Sequence, residues 1–144
     1  MFDADRTARF LGDPPAMVPM VAEDPLAPSV LPTPDSWTWF TETGKTRAPS
    51  WRNEMTLRTV EMLSEYEPGA YIGRISPTPL LMMVAREAHL TPAHLALDAF
   101  EPAREPKRLV ILAGGHFDAY VDDFEGASPP ARDFFMEHLA SRQG

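Results

Sequence analysis

This sequence has no cysteine and no long apolar run, and it has few basic residues. No cysteine occurs, which excludes disulfide bonds, thiolate zinc sites and a cysteine nucleophile within these residues. Lysine and arginine number 13 against 21 aspartate and glutamate residues, and the net charge of −8 argues against nucleic acid or an anionic membrane as the main partner. No apolar run is long enough to span a bilayer, and the amino terminus has no signal-peptide pattern. We therefore expect a cytoplasmic protein that binds neither nucleic acid nor membranes.

Proline, by contrast, is abundant and concentrated. The 144 residues include 16 prolines, about twice the usual share, and eight of them precede residue 50. Because proline lacks the N–H that helices and sheets need, residues 1–50 are predicted to be largely irregular. The same segment carries Trp37, Trp39 and Phe40, which a disordered tail seldom contains. We therefore expect it to pack these aromatic side chains against other parts of the protein.

The remainder of the chain alternates between predicted strands and helices. Leu80–Val84 and Leu109–Ala113 are continuous apolar runs, typical of strands covered on both faces. Between them, Thr91-Pro92 predicts the start of a helix, with the threonine as N-cap, that ends near Phe100. Strand, helix and strand in this order predict two parallel strands joined by a right-handed crossover. A final helix is predicted from Ser128-Pro129 to about Ala140.

A short helix is predicted over Asp5–Leu11, and two further helices are predicted before the parallel strands. Asp35-Ser36 can cap a short helix that contains Trp37 and Phe40, and Asn53 can cap a helix over Met55–Tyr66. Leu57, Val60 and Leu63 lie on one face of the second helix, which is the spacing of core packing rather than of chemistry.

A histidine directly follows the second predicted strand of the parallel pair. Gly114-Gly115 allows a tight turn with positive φ, and His116 comes next. Open α/β sheets place ligands and chemistry at this carboxyl end of their strands. An imidazole can take up and release a proton near neutral pH, so His116 can act as general base and then general acid, unless it is a loop residue with a structural hydrogen bond. Glu87, on the loop after the first strand, is the only carboxylate at this edge that could orient it.

Three runs of the sequence match one family together: Ile75-Ser-Pro-Thr-Pro-Leu-Leu-Met-Met-Val-Ala, Leu90-Thr-Pro and Glu105-Pro-Lys-Arg-Leu-Val-Ile-Leu-Ala-Gly-Gly-His-Phe-Asp-Ala-Tyr. They resemble the carboxyl-terminal part of the α/β hydrolases, in particular the dienelactone-hydrolase-like and peptidase S15-like esterases, a group that includes polyketide-processing hydrolases. The resemblance implies an α/β fold class. Residues 51–144 would form the carboxyl-terminal portion of the hydrolase core, with its last βαβ unit and final helix. Residues 1–50 would form a proline-rich, partly helical cap, and His116 would be the histidine of a catalytic triad.

Two departures from that family's pattern bear on activity. The family's serine nucleophile sits in a Gly-x-Ser-x-Gly turn, and no serine of this sequence has the flanking glycines. The family's acid falls at Ala88, which cannot orient an imidazole, so Glu87, one residue away, is the candidate substitute. The resemblance to a cap makes Trp37, Trp39 and Phe40 candidate substrate-binding side chains, with core packing as the alternative.

Three functions remain open. In the first, the chain is part of a serine hydrolase for an ester, thioester or related acyl bond, and the nucleophile lies outside this sequence. Alternatively it is a noncatalytic remnant that binds a partner or a small apolar ligand, or one subunit of a split hydrolase that a companion chain completes. We expect the isolated chain to be inactive. Because two parallel strands leave a sheet edge uncovered, we expect self-association or a companion chain. No cofactor is expected, and the histidines lack the spacing of a metal site.

Overall fold

The structure, a computed structural model, describes residues 1–139 and divides the chain into two compact units, one from Met1 to Glu67 and one from Pro68 onward. The helices and strands, in chain order, are α1 (Phe2–Phe10), β1 (Met17–Val18), α2 (Pro34–Thr46), β2 (Met55–Thr56), α3 (Leu57–Ser64), β3 (Leu80–Ala85), α4 (Ala93–Phe100), β4 (Lys107–Leu112) and α5 (Phe124–Leu139). Across the described part of the chain, no helix combines the length and the apolar character that crossing a membrane requires. The cytoplasmic location stays a prediction.

Buried charges join α1 to α3 in the first unit. Asp5 and Glu61 are only 5% and 7% exposed. Glu61 accepts a hydrogen bond of 2.6 Å from the Arg6 guanidinium. Asp5 accepts one of 2.8 Å from Arg9 and another of 2.8 Å from the backbone N–H of Ala16. Each buried carboxylate therefore has a cationic partner, which offsets the cost of removing its charge from water.

The hydrogen bonds to Asp5 predict a loss of stability in acid. The N–H of Ala16, and then the Arg9 guanidinium, hold the pKa of Asp5 below its usual range. Because the folded-state pKa lies below the unfolded one, Asp5 stabilises the fold above an ordinary carboxyl pKa of about 3.9, and this contribution is lost as the pH falls through the lowered value. We expect the urea midpoint of unfolding to drop between about pH 5 and pH 2, and Asp5→Asn to flatten that dependence. Asp13→Asn, at an exposed aspartate, is the control; an equal flattening there would contradict the assignment.

The first unit extends further along the chain than the predicted boundary at residue 50. β2 pairs with β1 in antiparallel register, and α3 packs on α1. Residues 51–67 therefore fold with the proline-rich segment, because their apolar and charged partners are there. The assignment of residues 1–50 as a cap-like segment and 51–144 as a partial hydrolase core stays a prediction.

Local capping in this unit differs from the sequence prediction. α2 begins at Pro34 with Thr33 as its N-cap residue, so Asp35-Ser36 lies inside the helix. α3 begins at Leu57, and the N-cap is Thr56, whose hydroxyl accepts a 3.1 Å hydrogen bond from Thr59 N–H. The predicted N-cap, Asn53, instead binds the backbone of residue 21 through both its amide oxygen and its amide nitrogen.

The second unit contains the predicted strand–helix–strand arrangement. β3 and β4 pair in parallel, with Leu80 opposite Lys107 and Ala85 opposite Leu112, which confirms the prediction. α4 packs on β3, and α5 contacts both strands. α4 begins at Ala93 with Pro92 in the N-cap position, so the prediction of a threonine N-cap is wrong. α5 begins at Phe124, a full turn before the predicted start, and the predicted end at Ala140 lies outside the described residues.

One edge of β3 has no strand beside it among residues 1–139. Leu80 N–H donates to Pro106 and Arg86 N–H donates to Leu112, each at 3.0 Å, so the even-numbered residues of β3 face β4. Backbone groups alternate in direction along a strand. The N–H groups of Leu81, Met83 and Ala85 therefore point to the open edge.

Candidate active site

A glycine turn carries His116 away from the end of β4. Gly114 has φ +82°, a conformation that residues with a side chain rarely adopt. A Cβ at this position would collide with the carboxylate of Asp118. That carboxylate accepts a 2.8 Å hydrogen bond from Gly115 N–H and closes the turn. Glycine at position 114 thus lets the chain turn tightly enough to project His116 at the strand's carboxyl end.

The loops that follow β3 and β4 are bonded to each other beyond the strand ends. Arg86 N–H donates to Leu112, and Glu87 N–H donates to the carbonyl of Gly114 at 2.9 Å. The backbone after β3 is therefore fixed directly against the turn that carries the histidine.

His116 is half-buried at this junction. Its Nδ1 lies 2.9 Å from the hydroxyl oxygen of Thr91. The rings of Phe117 and Tyr120 meet the imidazole edge to face, with centroids 4.9 and 6.1 Å away. One hydrogen bond and two aromatic contacts thus hold the ring, and Nε2 makes no hydrogen bond to any of residues 1–139.

The imidazole lines a cavity of about 580 Å³ in the second unit. Its other walls are mostly apolar side chains of β3, β4, α4, α5 and the turn after β4, and they include Met82, Met83, Leu112, Tyr120 and Phe124. Four consecutive residues of β3, from Met82 to Ala85, contribute to it. A basic nitrogen is thereby placed beside an apolar space.

No carboxylate reaches the imidazole in the described part of the chain. Ala88, where the resemblance to the hydrolase family puts the acid, is buried, with 9% of its surface exposed. The side chain of Glu87 is exposed and makes no hydrogen bond or ion pair within residues 1–139. One carboxylate oxygen of Asp118 accepts a hydrogen bond from Gly115 N–H within the turn. The role of Glu87 as the group that orients His116 therefore stays a prediction, and the observed contact is with Thr91.

The aromatic candidates lie on α2, in the first unit. The rings of Trp39 and Phe40 meet edge to face at 5.0 Å, and Phe40 lies 5.7 Å from Trp51. A Cβ on Gly44 would come within 2.8 Å of the Trp51 ring, so this glycine allows the indole to approach the helix. These contacts are packing contacts within the unit. Substrate binding by Trp37, Trp39 and Phe40 stays a prediction.

Sequence reasoning missed Thr91 as a site residue. The Thr-Pro pair before a helix is a strong capping signal, and it led to the prediction that the threonine is an N-cap residue. Because Pro92 occupies the N-cap position and α4 has no side-chain cap bond, the threonine hydroxyl is available to His116. Among residues 1–139, no group of three or more histidine or acidic side chains is arranged to hold a metal ion.

Two curated proteins are similar to nearly the whole chain. Polyketide transferase grgF of Penicillium sp. is 30% identical over 137 residues, which cover 94% of this chain and 46% of that protein. Thiohydrolase aneE of Aspergillus aculeatus is 30% identical over 147 residues, which cover 96% of this chain and 45% of that protein. The chain thus spans about half the length of these curated relatives. No family model matches the sequence.

Two solved structures resemble the chain. The crystal structure of the α/β hydrolase GrgF from Penicillium sp. sh18 matches with a TM-score of 0.76 at 27% identity, over 97% of this chain and 48% of that one. The structure of DcsB in complex with its substrate analogue matches with a TM-score of 0.75 at 20% identity, over 95% of this chain and 48% of that one, and supports the fold alone.

Proposed function

We propose, from the premise that this chain is a partial α/β-hydrolase fold, that it supplies the general base of an acyl hydrolase whose nucleophile lies in polypeptide outside these 144 residues. The observation that carries the proposal is the placement of His116. It stands at the carboxyl end of β4 on a glycine turn, with Nδ1 held and the ring on an apolar cavity. The dienelactone-hydrolase-like and peptidase S15-like group is our proposed place within the superfamily, and the match at both strand ends supports it.

The proposed chemistry uses His116 twice. A serine hydroxyl from outside these residues attacks the carbonyl carbon of the acyl substrate, and its proton passes to Nε2. The imidazolium then gives that proton to the leaving oxygen or sulfur, so an alcohol or thiol departs and an acyl-enzyme remains. Water attacks the acyl-enzyme, again losing a proton to Nε2, and the carboxylic acid and the free serine are released.

The substrate class follows from the cavity and from one relative's name. An apolar lining suits the hydrocarbon part of an acyl group, because burying it removes apolar surface from water. The similarity to a thiohydrolase favours a thioester within the proposed range of ester, thioester and related acyl bonds. The aromatic residues of α2 are the proposed additional substrate contacts, and the chemistry needs no cofactor.

The open edge of β3 is the proposed attachment site for the missing part of the enzyme. Three N–H groups, those of Leu81, Met83 and Ala85, face that edge. An unpaired edge accepts a further strand. A companion segment is favoured over self-association because the relatives are about twice as long as this chain.

A noncatalytic binding protein is the second candidate. It is favoured by Ala88, since no carboxylate stabilises a charged His116, and by the apolar lining of the cavity, which could hold a small apolar ligand without reaction. Retention of such a ligand with no turnover in any assembly would support this candidate.

Reconstitution separates these functions. We expect residues 1–144 to hydrolyse a p-nitrophenyl ester only when combined with the polypeptide encoded directly upstream, as a separate or a continuous chain.

Met83→Pro removes an N–H of the open edge without breaking the β3–β4 ladder, so the chain should stay folded. The dissociation constant for the separate upstream polypeptide should rise at least about tenfold, about 1.4 kcal/mol. Met83→Leu keeps the N–H and is the control.

Three outcomes would count against the proposal. Turnover by the isolated chain would place the nucleophile within it. A stable monomer in light scattering that also fails to bind the upstream polypeptide would remove the role of the open edge. An assembled complex without turnover would leave only the noncatalytic candidate.

A further inference from the structure

Thr91 is the polar side chain that contacts the proposed base. Its hydroxyl oxygen lies 2.9 Å from His116 Nδ1. In a serine-hydrolase triad this nitrogen faces a carboxylate, which fixes the tautomer and the ring orientation and stabilises the imidazolium. Here the threonine occupies that place on the imidazole.

The surrounding structure leaves the threonine hydroxyl free for this contact. Pro92, the next residue, is the N-cap residue of α4, and no side chain caps that helix. The Glu87 N–H bond to Gly114 fixes the loop against the histidine turn, four residues before Thr91. Backbone bonds and a proline of fixed φ therefore define where the hydroxyl lies.

The nearby acidic positions do not compete for Nδ1. Ala88 has no polar atom in its side chain, and the carboxylate of Glu87 is exposed to solvent. Asp118 accepts from Gly115 N–H within the turn. The hydroxyl of Thr91 is thus the observed partner of Nδ1 within residues 1–139.

We propose that Thr91 is the positioning residue of His116: its hydroxyl accepts the Nδ1–H, which leaves the lone pair of Nε2 available to the cavity. The inference rests on the proposed function of His116 as a base. When the hydroxyl accepts, the proton stays on Nδ1 and the ring is held as a carboxylate would hold it. Unlike a carboxylate, a hydroxyl can also donate, so the tautomer of the ring distinguishes the two directions of this hydrogen bond. The neutral hydroxyl of Thr91 orients the imidazole, but it has no charge with which to stabilise the imidazolium as a triad carboxylate does.

Nitrogen NMR of the ring tests the inference in the isolated chain, without any turnover. At about pH 8.5, well above the ordinary titration range of histidine side chains, we expect His116 to be protonated at Nδ1 and not at Nε2. The signals that disappear in His116→Ala identify it. Thr91→Val, which keeps the shape and removes the hydroxyl, should shift the signals toward Nε2–H, and Thr91→Ser should restore them. An Nε2-protonated wild-type ring, or no change in Thr91→Val, would overturn the inference.

Kinetics of the reconstituted enzyme give an independent reading. Loss of one neutral hydrogen bond should lower kcat about tenfold in Thr91→Val with little change in KM, and Thr91→Ser should recover most of it. If His116→Ala abolishes turnover but Thr91→Val leaves kcat unchanged, the inference fails and the proposed function stands. If His116→Ala leaves turnover unchanged, the proposed function fails first.

Discussion

His116→Ala should lower kcat/KM of the reconstituted enzyme by at least about 10³-fold, which corresponds to roughly 4 kcal/mol of transition-state stabilisation. The variant removes the group that takes the proton from the nucleophile and returns it to the leaving group. The residual rate would come from substrate binding and from the oxyanion-stabilising groups of the rest of the enzyme. The loss should appear mainly in kcat, because the imidazole acts in the chemical step and contributes only part of the cavity wall.

His94→Ala is the matched control for that loss. His94 is exposed on the first turn of α4 and does not line the cavity. The difference is measured by steady-state hydrolysis of a p-nitrophenyl ester, with the same fraction of each variant bound to the companion polypeptide. We expect His94→Ala to stay within about twofold of the wild type. A His116→Ala enzyme that retains a third or more of the activity would exclude the imidazole from the chemistry.

Gly114→Ala should cost both stability and activity. The left-handed backbone at Gly114 is unfavourable for alanine by about 1–2 kcal/mol. The added Cβ would also collide with the Asp118 carboxylate and break its bond to Gly115 N–H, a charge-assisted bond worth about 1.5–3 kcal/mol. We expect the unfolding free energy to fall by about 3 kcal/mol. Because the turn carries His116, kcat should fall by about 10² or more, since small misplacements of a catalytic group are costly.

Gly12→Ala separates the two parts of that cost. Gly12 has φ +100°, and nothing lies within 4 Å of the place a Cβ would take. It should therefore lose only the backbone contribution, about 1 kcal/mol, with activity unchanged. In the double variant Gly114→Ala with Asp118→Ala the collision disappears. Asp118→Ala should therefore lower the unfolding free energy less in the Gly114→Ala background than in the wild type. Urea unfolding followed by circular dichroism measures all four chains; equal losses for Gly12→Ala and Gly114→Ala would contradict the collision.

The parallel pair was predictable because its signal is strong and local. Leu80–Ala85 and Lys107–Leu112 are apolar over most of their length and are separated by a helix-length segment. Parallel strands need such a crossover. The expected burial on both faces is wrong for the described residues, because Val84 is the one buried residue of β3, Leu112 the one of β4, and Ile111 is 40% exposed. Gly114-Gly115 then placed His116 at the strand end, and the partial hydrolase fold agrees with the resemblance of the same segments.

The capping residues and the partner of the histidine were not predictable in the same way. Capping rules consider only the next few residues, whereas Thr91 binds a side chain 25 positions away and Asn53 binds a backbone 32 positions away. A side chain that can cap a helix can bond equally well to a distant group, and the tertiary contact decides. The contact between Thr91 and His116 becomes visible only when the loops after β3 and β4 are seen together.

The central claim is that His116 activates a nucleophile that lies outside this chain. Reaction of the reconstituted enzyme with a fluorophosphonate, which phosphonylates activated serines with loss of fluoride, tests it most directly when the modified residue is located by mass spectrometry. We predict that the label is carried by a serine of the companion polypeptide, and that His116→Ala slows labelling by at least about 10²-fold. A label on any serine of residues 1–144, or labelling of the companion that is independent of His116, would contradict the claim.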